Sequence, residues 1–482
     1  MNKSHLLFVL ILSLALTPFA PSAQAQKVGD RIVVTANVYT KIKSQKIEKV
    51  YGGEIDTITE KEGKWCALSR TKGWLPMQYV MNLDMGEDLY AKRIEKNDED
   101  YDAWAIRGMI NFEQERFDEA LQDLNKSISL NPRNPVSFNN RAIILNAVGR
   151  YQEALINLDQ SVKMNPNYAD AHENRGLVLV SMGLYKPAIK SFDKSIDLRE
   201  DNPWVYINRG SARSNDGDYK GAKTDFLRAL SMNDKLSDAY VGLNVVYLAE
   251  NEYEKALKFA NKALKLNPRN GLAFNQSGWT KYKMGKLDEA LFDFDQGIRY
   301  APRLSILFSN RGICFTDQGN YKKAIRDLDR SLALNPRSAV TLMNRGAAHM
   351  ANKEYKKAIA DLKKAVKLAP KLTDANNAIG WFLATCSEES FRNGKKAKKH
   401  GETACELSKW KEWTFIDTLA AAEAELGNFD EAVEMQQKAI QVAPEDSQAD
   451  CRKRLELYQS KQPFRSEFGK VAENRSPTKR DR

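Results

Sequence analysis

The chain reads Phe138-Asn139-Asn140-Arg141-Ala142-Ile143-Ile144-Leu145-Asn146-Ala147-Val148, then Gly149-Arg150, then Tyr151-Gln152-Glu153-Ala154-Leu155-Ile156-Asn157-Leu158-Asp159-Gln160-Ser161-Val162, and reaches a proline at Asn165-Pro166. Apolar residues recur at i, i+3, i+4 and i+7 in both halves, which is the period of a helix with one buried face. Gly149 stands between the halves, where a glycine can take the left-handed conformation that ends one helix and turns the chain. Proline drives its predecessor out of the α region, so Asn165-Pro166 stops the second helix. These residues predict two antiparallel helices joined by a tight turn.

The unit repeats every 34 residues without a gap from Tyr101 to Leu372. Ala120, Ala154, Ala188, Ala222, Ala256, Ala290, Ala324 and Ala358 fall into register. Phe117, Tyr151, Tyr185, Tyr219, Tyr253, Leu287, Tyr321 and Tyr355 lie three residues before them. Gly183, Gly217, Gly285 and Gly319 hold the place of Gly149, and Asn131-Pro132, Asn267-Pro268 and Asn335-Pro336 repeat the stop. Gly108, Ala142, Gly176, Gly210, Gly278, Gly312 and Gly346 keep the first helix small where the second must approach. A strict period in this range predicts a solenoid of stacked helix pairs.

With an aromatic residue near the start of the second helix, Gly or Ala at position 8, Ala at position 20 and Pro at position 32, the units resemble tetratricopeptide repeats. Two departures are local: Glu200 and Asp234 replace the proline, and position 7 is mostly arginine (Arg107, Arg141, Arg175, Arg209, Arg311, Arg345). Two further repeats follow in residues 373–446, the first with the longer loop Ser387-Glu388-Glu389-Ser390-Phe391-Arg392-Asn393-Gly394. Residues 447–459 read as a polar capping helix, which an open solenoid end needs for solubility. Residues 460–482 read as a basic disordered tail, and 84–100 as a linker helix. The expected fold is therefore mainly α: about ten helix-turn-helix repeats behind a small β domain.

That β domain is expected at 26–83, where alternation in Arg31-Ile32-Val33-Val34-Thr35 and Glu54-Ile55-Asp56-Thr57-Ile58-Thr59 predicts strands. Gly63-Lys64-Trp65 and Gly73-Trp74-Leu75, with Tyr79-Val80, resemble the later strands of bacterial SH3-like barrels. The resemblance implies binding of peptides or cell-wall material through Trp65, Trp74 and Tyr79. The same residues also suit the core of a small barrel.

Lys3, the apolar run Leu6–Leu16 and Ala23-Gln24-Ala25 form the three parts of a secretory signal, with cleavage expected after Ala25. The chain is expected in the periplasm or outside the cell, with no membrane-spanning segment. Five cysteines (Cys66, Cys314, Cys386, Cys405, Cys451) are too few and too unevenly numbered for a disulfide framework. Cys386 and Cys405 bracket the long loop: a bridge there would staple it, while two buried thiols are the alternative.

In tetratricopeptide repeats the first helices line the concave face, and the resemblance extends to the asparagine ladders of some peptide-binding members. Asn140, Asn174, Asn208, Gln276, Asn310 and Asn344 stand at position 6. An amide offers two donors and one acceptor, so such a column suits the backbone of an extended peptide; the alternative is pairing with the neighbouring repeat. Trp204, Trp279 and Tyr282 are expected apolar anchors on the same face. The position-7 arginines are expected to pair with second-helix aspartates such as Asp123, Asp193, Asp225, Asp293, Asp327 and Asp361; the alternative is an anion-binding stripe.

The chain of 482 residues carries 74 Lys and Arg against 63 Asp and Glu, a net charge of +11. From Arg452 onward ten cations face four carboxylates, so over half of the excess sits at this end. Such a tail favours anionic envelope polymers or membrane surfaces. No nucleic-acid motif, phosphate loop, metalloprotease helix or nucleophile elbow is present, and the four histidines are scattered. The expectation is a non-catalytic scaffold without cofactor or metal. Its partner would be a protein or peptide, or alternatively cell-wall material, and not nucleic acid.

Overall fold

A computed structural model describes residues 31–34, 38–42, 45–50, 55–62, 65–68, 74–76, 80–466 and 468. The expected signal segment, Tyr79 and residues 469–482 lie outside the described residues. The described chain forms two compact units divided in sequence between Met232 and Asn233.

The first unit opens with seven short strands: β1 (Arg31–Val34), β2 (Val38–Ile42), β3 (Gln45–Val50), β4 (Ile55–Glu62), β5 (Trp65–Leu68), β6 (Trp74–Pro76) and β7 (Val80–Asn82). All pairings are antiparallel, in the order β3-β2-β6-β5-β4-β1-β7, with Ala67 opposite Trp74. Helix α1 (Leu83–Lys96) follows at once, with Asn82 as its N-cap. This is the linker helix of the sequence reading, and it packs against the first repeat: Tyr90 and Ile94 are buried with Ala103 and Ile110. Four helix pairs complete the unit: α2 (Tyr101–Glu113) with α3 (Phe117–Leu130), α4 (Pro135–Ala147) with α5 (Tyr151–Met164), α6 (Ala169–Ser181) with α7 (Tyr185–Leu198), and α8 (Pro203–Asp216) with α9 (Tyr219–Met232).

The second unit continues the pattern. Its pairs are α10 (Ser237–Ala249) with α11 (Tyr253–Leu266), α12 (Gly271–Lys283) with α13 (Leu287–Tyr300), α14 (Ser305–Asp317) with α15 (Tyr321–Leu334), and α16 (Ala339–Ala351) with α17 (Tyr355–Leu368). Then come α18 (Thr373–Thr385) with α19 (Gly394–Leu407), α20 (Trp413–Glu425) with α21 (Phe429–Val442), and a last helix α22 (Glu445–Gln459).

Local chemistry sets these boundaries. Gly149, Gly183, Gly217, Gly285 and Gly319 turn the chain between helices with φ between 74° and 89°. Glu115, Asn251 and Lys353 occupy the same slot with φ near 60°, a region disfavoured for residues with a Cβ. At the far end, Asn131, Asn165 and Asn267 leave the helix in extended geometry, and each side chain accepts from the N–H two residues on. Asn134, Asn202, Asn270 and Ser338 then cap the next first helix. Between paired helices the residue at position 8 is small in most repeats, and in the third repeat a Cβ on Gly176 would stand 2.5 Å from the Phe192 ring.

The loop of the ninth repeat is packed. Glu389–Phe391 form a 3-10 turn, Arg392 Nη1 donates to the Cys386 carbonyl, and Arg392 Nε donates to Glu425 at 3.0 Å. Cys386 and Cys405 are not bridged. Both are free and buried, Cys386 among Phe382 and Ala397, and Cys405 among Phe415 and Ala439. Burial pushes the Cys405 thiol up to about 12 and Cys451 up to about 11, and raises Cys386 and Cys314 as well. The thiolate is the reactive form, so these four thiols are expected to resist a disulfide reagent such as DTNB in the native chain and to react on denaturation. Counting released thionitrobenzoate checks this: at most one thiol, Cys66, should titrate before guanidinium is added.

Candidate functional site

Within each unit the first helices of successive repeats lie side by side, and position 6 of one faces position 5 of the one before. Half of the amide column meets the preceding repeat: Asn174, Asn208 and Asn310 do, whereas Gln276 Oε1 and Asn344 Nδ2 have no hydrogen-bond partner among the described residues. Asn174 Nδ2 donates to Asn139 Oδ1 at 2.9 Å, and Asn310 Nδ2 donates to Asn275 Oδ1 at 2.9 Å. Asn208 Nδ2 reaches Glu173 Oε1 at 3.4 Å, and Asn140 Oδ1 accepts from Asn139 at 3.3 Å. Gln276, Asn310 and Asn208 are buried, while Asn140, Asn174 and Asn344 are half-buried. The pairing alternative of the sequence reading describes Asn174, Asn208 and Asn310.

The apolar anchors divide. Trp279 is 9% exposed and Tyr282 3%. Their rings stack 5.0 Å apart in a core cluster with Ala290, Phe294, Leu307 and Cys314. The expectation that both stand open on the first-helix face is thus corrected. Helix α12 turns them between repeats, and Tyr282 Oη donates to Asp317 of the next first helix at 2.5 Å. Trp204 is different, at 39% exposed. It occupies the first turn of α8, just past the Asn202 cap, where no preceding turn can cover it. Val136 holds the same position in α4 and is 43% exposed, and Val340 holds it in the second unit.

The arginine column is a set of clamps. Arg209 donates from Nε and Nη2 to Asp225 at 3.0 and 2.6 Å and from Nη1 to Asp193 of the preceding second helix at 2.7 Å. Arg311 grips Asp327 and Asp295 in the same manner, and Arg345 grips Asp361 and Asp329. Each guanidinium joins its own second helix to the previous one in the planar, two-pronged geometry that suits arginine and not lysine. Arg107 pairs with Asp123 and Arg175 with Asp159, whereas Arg141 finds the amides of Asn157 and Asn125. The second aspartates, Asp159, Asp193, Asp295 and Asp329, also fall into the repeat register, and Asp193 is among the expected partners; what the packing adds is that each belongs to the helix preceding its arginine.

At the end of the second unit the chain folds back on itself. Helix α22 is held by Arg454, whose Nε donates to the buried Asp417 at 2.7 Å, and by the buried Tyr458. Burial raises Asp417, while Arg454 and Gln436 pull it back. Lys461 then turns the chain with φ 54°. Phe464 packs on Trp381 with centroids 5.7 Å apart, and the Arg454 guanidinium lies over both rings. Ser466 N–H donates to the Thr385 carbonyl at 2.8 Å, making a parallel bridge between Ser466 and Cys386. Phe468 lies about 6 Å from the rings of Tyr355 and Phe382. The tail read from sequence as disordered from residue 460 is thus docked through Ser466 and at Phe468. The signal was available in Phe464 and Phe468, two aromatic residues in an otherwise polar stretch.

Among the described residues no group of three or more His, Cys, Asp or Glu could hold a metal ion. No described helix is long and apolar enough to cross a membrane.

Comparison with known proteins agrees with the geometry. The tetratricopeptide repeat model matches residues 101–134, 305–338 and 339–372. Further models of the same repeat match 124–156, 144–183, 169–202, 207–271 and 414–443. The chain is a tetratricopeptide-repeat protein. No curated protein matches it in sequence. Among solved structures it is similar to the Cut9-Hcn1 hetero-tetramer of the APC/C, at 12% identity over 78% of this chain and 87% of that one, with a TM-score of 0.50. A tetratricopeptide repeat protein from Parabacteroides merdae is 18% identical over 54% of this chain and 98% of that one, TM-score 0.45. The human IFIT1 dimer with PPP-AAAA is 17% identical over 75% of this chain and 95% of that one, TM-score 0.47. At these identities the likeness concerns the fold.

Proposed function

We propose that this protein is an exported, non-catalytic interaction scaffold whose first-helix face holds an extended segment of a protein partner. The observation that carries the reading is Trp204. It is a large aromatic side chain left open at the first turn of α8, with Val136 open at the matching place two repeats earlier. Exposed aromatics of this kind act as interface anchors. Export rests on the signal-like residues Lys3, Leu6–Leu16 and Ala23-Gln24-Ala25. Nucleic acid is not a partner we propose. The first-helix arginines that would meet phosphates are engaged, five of them with carboxylates and Arg141 with amides.

The test is partner capture from a cell-envelope extract with wild type and Trp204→Ala. The variant should keep its helical circular dichroism and bind the captured partner about tenfold more weakly or worse, as loss of an aromatic anchor implies. Equal affinity with intact folding would overturn the role of this face. The antiparallel strands of residues 31–82 support a second reading, in which an SH3-like domain carrying Trp65, Trp74 and Tyr79 binds cell-wall material and the repeats act as a spacer. Sedimentation of the mature chain with purified cell wall, abolished by changes in that domain and not by Trp204→Ala, would favour it.

A further inference from the structure

The docked tail marks a specific recognition site, and its chemistry can be read from what it holds. Trp381 and the Arg454 guanidinium form one half-open clamp, which takes the Phe464 ring. Tyr355, Phe382 and Phe391 form a second aromatic box, which takes Phe468. Between the two, Ser466 pairs its backbone with the end of α18, its N–H on the Thr385 carbonyl. Arg465 reaches Glu425 at 2.7 Å and the Ala384 carbonyl at 3.4 Å. Strand-like backbone pairing with side chains in flanking pockets is a recurring mode of peptide recognition.

We infer that the face formed by the eighth and ninth repeats is a binding site for an extended peptide carrying aromatic-cation-x-x-aromatic, and that the chain's own Phe464–Phe468 is a resident occupant that an outside peptide must displace. The spacing is that of Phe464-Arg465-Ser466-Glu467-Phe468. Several observations support exchange over permanent burial. The docked side chains are half-buried, no covalent link holds them, and one end is secured independently by the Asp417–Arg454 pair of α22. A segment this short owes its occupancy largely to tethering, which supplies an effective concentration on the order of millimolar. A partner bearing the same pattern then meets a threshold set by the tail. This site rests on the scaffold reading above and names, within the second unit, the peptide class such a scaffold takes.

The test uses the full chain and a labelled peptide of the sequence Lys461–Lys470, followed by fluorescence anisotropy. The Phe464→Ala/Phe468→Ala chain, its site vacated, should bind the peptide, and wild type should bind it about tenfold more weakly because of the tethered competitor. Adding Trp381→Ala to the double variant should abolish binding. No binding to the vacated chain, or equal binding to all three chains, overturns the site. If the double variant loses helical signal, Ser466→Pro replaces it, since this removes the N–H that meets Thr385 and leaves the groove intact, with the same expectations. The partner capture with Trp204→Ala separates the two readings: a peptide that fails while capture depends on Trp204 overturns the tail site alone, and loss of both overturns the scaffold reading as well.

Discussion

Replacing Trp279 with alanine is expected to destabilise the second unit by about 3–5 kcal/mol, the range for removing a large aromatic side chain from a packed core. At 9% exposure the indole stacks on Tyr282 and closes a cluster with Phe294, Leu307 and Cys314. Its loss leaves a void between neighbouring repeats that Ala290 and Cys314 are too small to fill. Repeat arrays unfold by local interfaces as well as globally, so the measurement is a circular-dichroism melt together with hydrogen exchange at residues 271–317. Exchange should accelerate in α12 to α14 first. Trp204→Ala is the control, because substitution of an exposed side chain usually changes stability by under about 0.5 kcal/mol. A Trp279→Ala chain that melts like wild type while losing its partner would return that residue to the binding face.

The second large effect is expected at Asp225, which is 1% exposed and accepts from two arginines, Arg209 at 2.6 and 3.0 Å and Arg213 at 2.9 Å. Asp225→Ala removes the only carboxylate shared by both. Arg209 keeps Asp193, and Arg213 keeps Asp218 at 3.8 Å, each on a more exposed side. Breaking a buried ion pair by deleting one partner costs about 3–5 kcal/mol, since a charge stays behind in a poorly solvated place. The loss should persist at 1 M salt, because buried pairs are screened far less than surface ones. The exposed Arg150–Glu153 pair offers the contrast: its removal should leave the melt unchanged. Urea titration of the three chains at low and high salt checks both statements. A deficit for Asp225→Ala that vanishes with salt would mean the clamp behaves as a surface pair.

Both effects concern stability at residues that periodicity alone marks only as large or charged. Position 9 of the first helix is apolar in Trp279, and position 23, on the second helix, is acidic in Asp225. Whether such a side chain faces solvent, a ligand or the neighbouring repeat depends on how closely the helices approach. Within a repeat that distance is set by small residues elsewhere, such as Gly176 against Phe192. The amides show the same ambiguity: Asn310 carries identical hydrogen-bonding capacity whether it meets a peptide or, as here, Asn275 of the preceding repeat.

The sequence by itself determined the helix pairs, their 34-residue spacing, the glycine turns and the asparagine-proline stops, because each follows from interactions within one repeat: apolar period, left-handed glycine and proline sterics. Tertiary structure alone decided that Trp279 is core and Trp204 open, that Arg209, Arg311 and Arg345 each clamp two second helices, and that Phe464 and Phe468 return to α18 across some eighty residues of chain. These are contacts between repeats or between distant segments. Their free energy depends on which surfaces meet, and a local pattern of residues carries no record of that.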